Sequence, residues 1–163
     1  MATNNLTETE NAPPFEHYML VVDDDPIFTQ LMVKWGERKK IHAATCGSIK
    51  EWDTLVAPRL FDIAIIDYYL DGLKEDLKGT EVADFMGATP VILVSSRPNE
   101  CLDESETWPG PVRKFVGKEK GIEAILELAL RLKADTQSNA GKAKTRTLRW
   151  AAAPQGSFGD FHF

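Results

Sequence analysis

The sequence predicts an α/β domain built on a doubly wound, five-stranded parallel sheet. Two observations predict it. Short, continuously apolar runs alternate with segments whose apolar residues recur at helical spacing, with short polar loops between them. Two of those runs, at 18–22 and 61–66, stop abruptly on aspartates, and open parallel sheets carry their sites just beyond the carboxyl ends of the strands.

The first strand is YMLVV at 18–22, continuously apolar as a strand buried on both faces is, and it ends at Asp23, Asp24, Asp25 and Pro26. PIFTQLMVKWGER at 26–38 follows as a helix. Pro26 suits its first turn, Ile27, Phe28, Leu31, Met32 and Trp35 fall at helical spacing, and Gly36 helps to end it. IHAATC at 41–46 is the second strand. SIKEWDTLV at 48–56 is a helix opened by Ser48 as N-cap, with Glu51 three residues on in a capping-box pattern. FDIAII at 61–66 is the third strand and runs into Asp67; GTEVADFM at 79–86 is a short helix. PVILVSS from Pro90 and VRKFVGK from Val112 supply the last two strands. Between them, RPNECLDESETWPGP has prolines at both ends of an acidic stretch, which predicts a short or irregular fourth helix. The final helix is EKGIEAILELALRLKAD at 119–135, with Ile122, Ile125, Leu126, Ala129 and Leu132 on one face broadened by Leu128.

A chain of 163 residues with 43% hydrophobic content supports one core plus tails. The expected organisation is a polar, flexible segment at 1–16, a domain at 17–135 and a tail at 136–163. That tail turns basic and then aromatic. It reads as a disordered extension or, more sharply, as a docking segment. In the second reading Leu148, Trp150, Phe158, Phe161 and Phe163 fold back on the domain or insert into a partner or a second copy as a homodimer. The net charge of −6 argues against a general affinity for nucleic acid. Cys46 and Cys101 lie far apart without a His cluster, so they read as reduced structural thiols; His17, His42 and His162 suggest no catalytic pair. No run is apolar enough for a signal peptide or a membrane span, and a cytoplasmic protein is expected.

Collecting only the residues at strand ends gives Asp23, Asp24 and Asp25, then Asp67, then Ser95 and Ser96, then Lys118. Packed carboxylates repel one another unless a cation neutralises them, and oxygen ligands with room for water suit Mg2+. A carboxylate beside such a metal can attack phosphorus to give an aspartyl phosphate, while a hydroxyl and an ammonium hold the transferred oxygens. Asp67, Ser95 and Lys118 fit those three roles.

The segments VVDDDP, IIDYYL, PVILVSS and KFVGK resemble, in order, the four motif regions of bacterial response-regulator receiver domains, over roughly 18–135. The resemblance implies the flavodoxin-like receiver fold and a stand-alone switch of a two-component phosphorelay. It implies Asp67 as phosphoacceptor and metal ligand, Asp23, Asp24 and the Tyr69 carbonyl as further ligands of Mg2+, Ser95 and Lys118 at the phosphoryl group, and Ser95 with Phe115 as switch residues. It implies a histidine kinase or phosphotransfer protein as donor and a downstream protein partner, with no separate enzymatic activity. Two departures stand out: YYLDGLKEDLKGTEVA after Asp67 is longer than the family's loop and lacks its Pro, and Glu119 follows Lys118 where Pro is common. Tyr69 and Arg97, each two residues past a site residue, are placed to cover a phosphoryl group and slow its hydrolysis. Two rival readings remain: a constitutive receiver-like scaffold, and a phosphatase resembling the haloacid-dehalogenase group with Asp23 as nucleophile beside Asp25.

Overall fold

The computed structural model describes residues 15–55, 61–101 and 108–140. Its five strands are β1 (His17–Val22), β2 (Ile41–Cys46), β3 (Ile63–Asp67), β4 (Val91–Ser95) and β5 (Val112–Gly117). They form one parallel sheet in the order β2-β1-β3-β4-β5. The helices are α1 (Pro26–Arg38), α2 (Ile49–Leu55), α3 (Gly79–Ala83), α4 (Pro98–Cys101) and α5 (Ile122–Ala140). The predicted doubly wound five-stranded sheet is the one observed. The docking residues proposed for the tail, and most of the 1–16 segment, lie outside the described residues.

Alternation along the strands divides the apolar side chains between two cores. Leu20, Val22, Ala64, Ile66 and Leu93 pack on one face with Trp52, Val82 and Met86. Met19, Val21, Ile63, Ile65, Ile92 and Val94 pack on the other with Phe28 and Met32 of α1 and Ile125, Leu126 and Ala129 of α5. Burial on both faces explains why these strands read as continuous apolar runs. From β1 the chain first crosses to β2 on one side and then returns to β3 on the other, so the sheet has its switch point between β1 and β3. A crevice at their carboxyl ends follows from that topology.

Several boundaries are sharper than the sequence patterns. Asp25 caps α1, its Oδ1 accepting from the Ile27 N–H at 2.9 Å. Gly36 does not end that helix. It is buried inside it, where a Cβ would press on the Ile41 carbonyl, and the helix runs on to Arg38. The predicted capping box opens α2 in modified form: Ser48 Oγ accepts from the Glu51 N–H at 3.2 Å, while the Glu51 carboxylate reaches back to Gly47 N–H rather than to Ser48. The 79–86 helix is α3 followed by a single 3-10 turn, Asp84–Met86. The final helix starts later and ends later than 119–135, because Lys118–Lys120 form a 3-10 turn and Gly121 has φ +87°. Helix α4 opens at the first of the predicted prolines, Pro98, and the acidic stretch after Cys101 lies outside the described residues. Cys46 is buried, and burial pushes its thiol up to about 12, which leaves it structural.

At the opposite end of the sheet a compact polar cluster ties β1, β3 and α5 together. Asp62 accepts from the Tyr18 N–H at 2.8 Å and from Lys133 Nζ at 3.0 Å. Lys133 also donates to His17 Nδ1 at 2.7 Å, which requires a neutral imidazole. Burial, then the Lys133 charge, holds His17 below its ordinary range, so its contribution to stability is present above that range and is lost as pH falls through it. Asp62→Ala strands a largely buried ammonium and a strand N–H, and is expected to cost about 1–3 kcal/mol in urea unfolding. Glu16→Ala, at the exposed Lys40 pair, should leave the urea midpoint nearly unchanged.

Candidate functional site

The strand register carries the predicted site residues to one place. Asp67 is the last residue of β3 and pairs with Val94, so Ser95 stands one step further along β4. Ser95 in turn pairs with Gly117, and Lys118 follows at once. Asp23 leaves the end of β1 beside them, its backbone N–H bonded to the Cys46 carbonyl at 3.0 Å.

Asp23, Asp24 and Asp67 each offer a carboxylate oxygen, all within 4.8 Å of one another. Asp23 is fully buried and Asp67 is 7% exposed. Lys118 bridges these two, with Nζ 2.8 Å from Asp23 Oδ2 and 3.2 Å from Asp67 Oδ2. Its ammonium also lies 4.5 Å from the centre of the Phe28 ring. Asp23 Oδ2 takes no other partner among the described residues, while Oδ1 accepts from the Asp25 N–H at 2.9 Å. Burial, reinforced by the Asp23 charge and opposed by Lys118, pushes the Asp67 carboxyl up to about 7. Burial also raises Asp23. For Lys118 burial acts downward, but the two carboxylates outweigh it and hold the ammonium above its usual range. Lys118 thus bridges two of the three carboxylates, which together make an all-oxygen donor set that fits a hard divalent cation such as Mg2+.

The three consecutive aspartates have separate tasks: Asp25 is the helix cap, and only Asp23 and Asp24 join Asp67. Ser95 is buried whereas Ser96 is exposed, and Ser95 Oγ accepts from the Arg97 N–H at 3.0 Å. Tyr69 and Arg97, expected as neighbours over the site, are in contact, with the guanidinium 4.3 Å from the ring centre. Lys78 Nζ lies 4.2 Å from the same ring, and Glu100 accepts from the Tyr69 hydroxyl at 3.3 Å. Phe115 is half-buried and packs on Trp108 at 5.4 Å between ring centres.

Three participants were missed by sequence reasoning. Phe28 was read only as an apolar helix residue, because nothing in one sequence says that an ammonium will rest on its ring. Gly79 is forced by its closeness to the Asp67 carbonyl, which a Cβ would overlap. Gly72 donates its N–H to Asp24 Oδ2 at 2.7 Å. The Asp71-Gly72 pair was a visible turn signal, but its partner 48 residues earlier was not.

No protein-family model matches the sequence, and no curated protein matches it. Solved structures do. A Francisella response-regulator receiver domain is 20% identical with a TM-score of 0.59, covering 74% of this chain and 98% of its own. A CheY-like receiver domain protein from Methanospirillum hungatei JF-1 is 16% identical with a TM-score of 0.62, covering 76% and 98%. The response regulator TrrA from Thermotoga maritima, in complex with Mg2+ and BeF, is 21% identical with a TM-score of 0.58, covering 71% and 98%. The fold is that of a response-regulator receiver domain. In this receiver fold the acidic crevice lies at the switch point between β1 and β3, and no described helix is long and apolar enough to cross a membrane.

A carboxyl raised in the folded protein holds its proton longer than in the unfolded chain, so its favourable contribution is present at low pH and lost as pH rises through about 7. Asp67→Asn cannot ionise. In metal-free buffer it is expected to raise the melting temperature relative to wild type at pH 8, and to do so by less at pH 5; an equal shift at both values would count against a perturbed Asp67.

Proposed function

We propose that this receiver domain is a phosphorylation-controlled signalling switch whose phosphoacceptor is Asp67. The observation that supports it most is the convergence of Asp23, Asp24 and Asp67 within 4.8 Å, with the Lys118 ammonium bridging Asp23 and Asp67. The Thermotoga response regulator of the same fold is a complex with Mg2+ and BeF, and the acidic donors here are of the kind Mg2+ takes. Asp23, Asp24, Asp67 and the Tyr69 carbonyl would hold the ion, which when bound would offset the negative charge of the carboxylates and of the incoming phosphoryl oxygens.

The protein's own groups divide the remaining work. An ionised Asp67 oxygen attacks phosphorus, and the bond from phosphorus to the donor breaks, its electron pair leaving with acetate or with an imidazole nitrogen. Lys118, already 3.2 Å from Asp67 Oδ2, is placed to hold a transferred oxygen, and the Ser95 hydroxyl can donate to another. Drawing Ser95 toward the phosphoryl group disturbs its bond to the Arg97 N–H, and β5 beside it carries Phe115. A shift in the Phe115–Trp108 packing is the proposed conformational output. Tyr69 and Arg97 form a cover that hinders attacking water. The donor would be a histidine kinase or phosphotransfer protein in the cytoplasm and the receiver of the signal another protein, with no catalysis beyond the domain's own phosphorylation.

Intact-protein mass after incubation with acetyl phosphate and Mg2+ tests this. Wild type is expected to gain one phosphoryl adduct, Asp67→Asn none, and chelation should abolish the gain. After donor removal Tyr69→Ala should lose the adduct faster than wild type. No adduct in wild type would favour the constitutive scaffold, and an adduct persisting on Asp67→Asn would shift the nucleophile to Asp23.

A further inference from the structure

We infer that the long loop after Asp67 positions Asp24 for the cation, and that the Gly72 N–H is the group that does it; this rests on the Mg2+ reading above. Asp24 sits in the β1–α1 connection and is not buried, so an isolated side chain there would sample several rotamers. In the fold it does not stand alone. Its Oδ2 accepts from the Gly72 N–H at 2.7 Å. Its Cβ and carboxylate lie so close to Gly72 that a Cβ on that residue would overlap both. The contact therefore needs glycine for space, not for an unusual backbone angle.

The loop that delivers this N–H is well anchored. Tyr68, Leu70, Leu73 and Leu77 are buried in the core shared by α2 and α3. Tyr69 and Lys78 form an antiparallel bridge, the Leu70 N–H bonds the Leu77 carbonyl at 3.0 Å, and the Gly79 N–H bonds the Tyr68 carbonyl at 2.8 Å. Within the loop the Leu73 and Lys74 N–H groups both bond the Leu70 carbonyl, at 2.9 and 3.1 Å. The extra loop length is thus folded into a fixed platform, with the Gly72 N–H aimed at Asp24. One N–H occupies one acceptor position on Oδ2 and leaves Oδ1 for a metal, so the hydrogen bond orients the ligand without consuming it. Groups that fix a ligand in this way typically change metal affinity by about 10–100-fold when removed.

The test is calorimetric titration of the full metal-free chain with Mg2+. Wild type is expected to bind one ion, and Gly72→Ala to bind it about 10–100-fold more weakly. Because the effect passes through Asp24, Gly72→Ala should cost nothing further in an Asp24→Asn background. In wild type, the Gly72 amide resonance should shift with Mg2+ at the same midpoint as the calorimetric binding, a readout that stands even if the substituted chain fails to fold. If wild type binds no Mg2+, the metal reading fails and this inference with it. If wild type binds and Gly72→Ala binds equally well, or the loss persists in Asp24→Asn, or the Gly72 resonance does not respond, the positioning role is overturned and the metal reading stands.

Discussion

The carboxyl end of this sheet is organised by one electrostatic constraint: three carboxylates converge where Lys118 is the ammonium that bridges two of them. Asp23 is fully buried and Asp67 nearly so, so neither can be relieved by water. The cost appears as a raised Asp67 carboxyl, near 7 in the absence of a cation. Such an arrangement works against stability, and its persistence in an otherwise well-packed domain points to a ligand that completes it. In the proposed reading a divalent cation would supply the positive charge these carboxylates call for, and a phosphoryl group beside it would give Lys118 an anion to hold.

The rest of the fold keeps that imbalance in place. Strands buried on both faces fix the backbone ends from which Asp67 and Ser95 project, and the parallel register sets them one residue apart across β3 and β4. Asp25 is drawn away to cap α1, and its N–H in return holds Asp23 Oδ1. The opposite end of the sheet makes a useful contrast. There Asp62, Lys133 and a neutral His17 satisfy one another in a balanced cluster, which stabilises without calling for a ligand.

The sheet was legible in the sequence because burial on both faces leaves continuous apolar runs, and YMLVV and FDIAII could hardly serve elsewhere. The candidate site was legible because the residues proposed for it lie at strand ends, and Asp23, Asp24, Asp67, Ser95 and Lys118 all fall in the crevice region. What stayed hidden has long-range causes. Gly36 reads as a stop for α1, yet its role is close packing on Ile41 from the next strand. The apolar periodicity of α5 ends at Asp135, yet the helix continues to Ala140 through residues with no apolar face to announce it. The loop after Asp67 showed only as extra length. Its order comes from Leu70, Leu73 and Leu77 reaching a core assembled from α2, α3 and four strands, and from a bond to Asp24. A period-based reading registers none of those partners.

The three carboxylates are proposed to form a site that a divalent cation completes. Thermal unfolding at pH 8 over a series of Mg2+ concentrations tests it most directly, since a ligand bound only by the folded state stabilises as RT ln(1 + [L]/Kd). The melting temperature is expected to climb with Mg2+ in wild type and to stay flat in Asp23→Asn. A wild-type melting temperature indifferent to Mg2+, or one that climbs equally in Asp23→Asn, would contradict it.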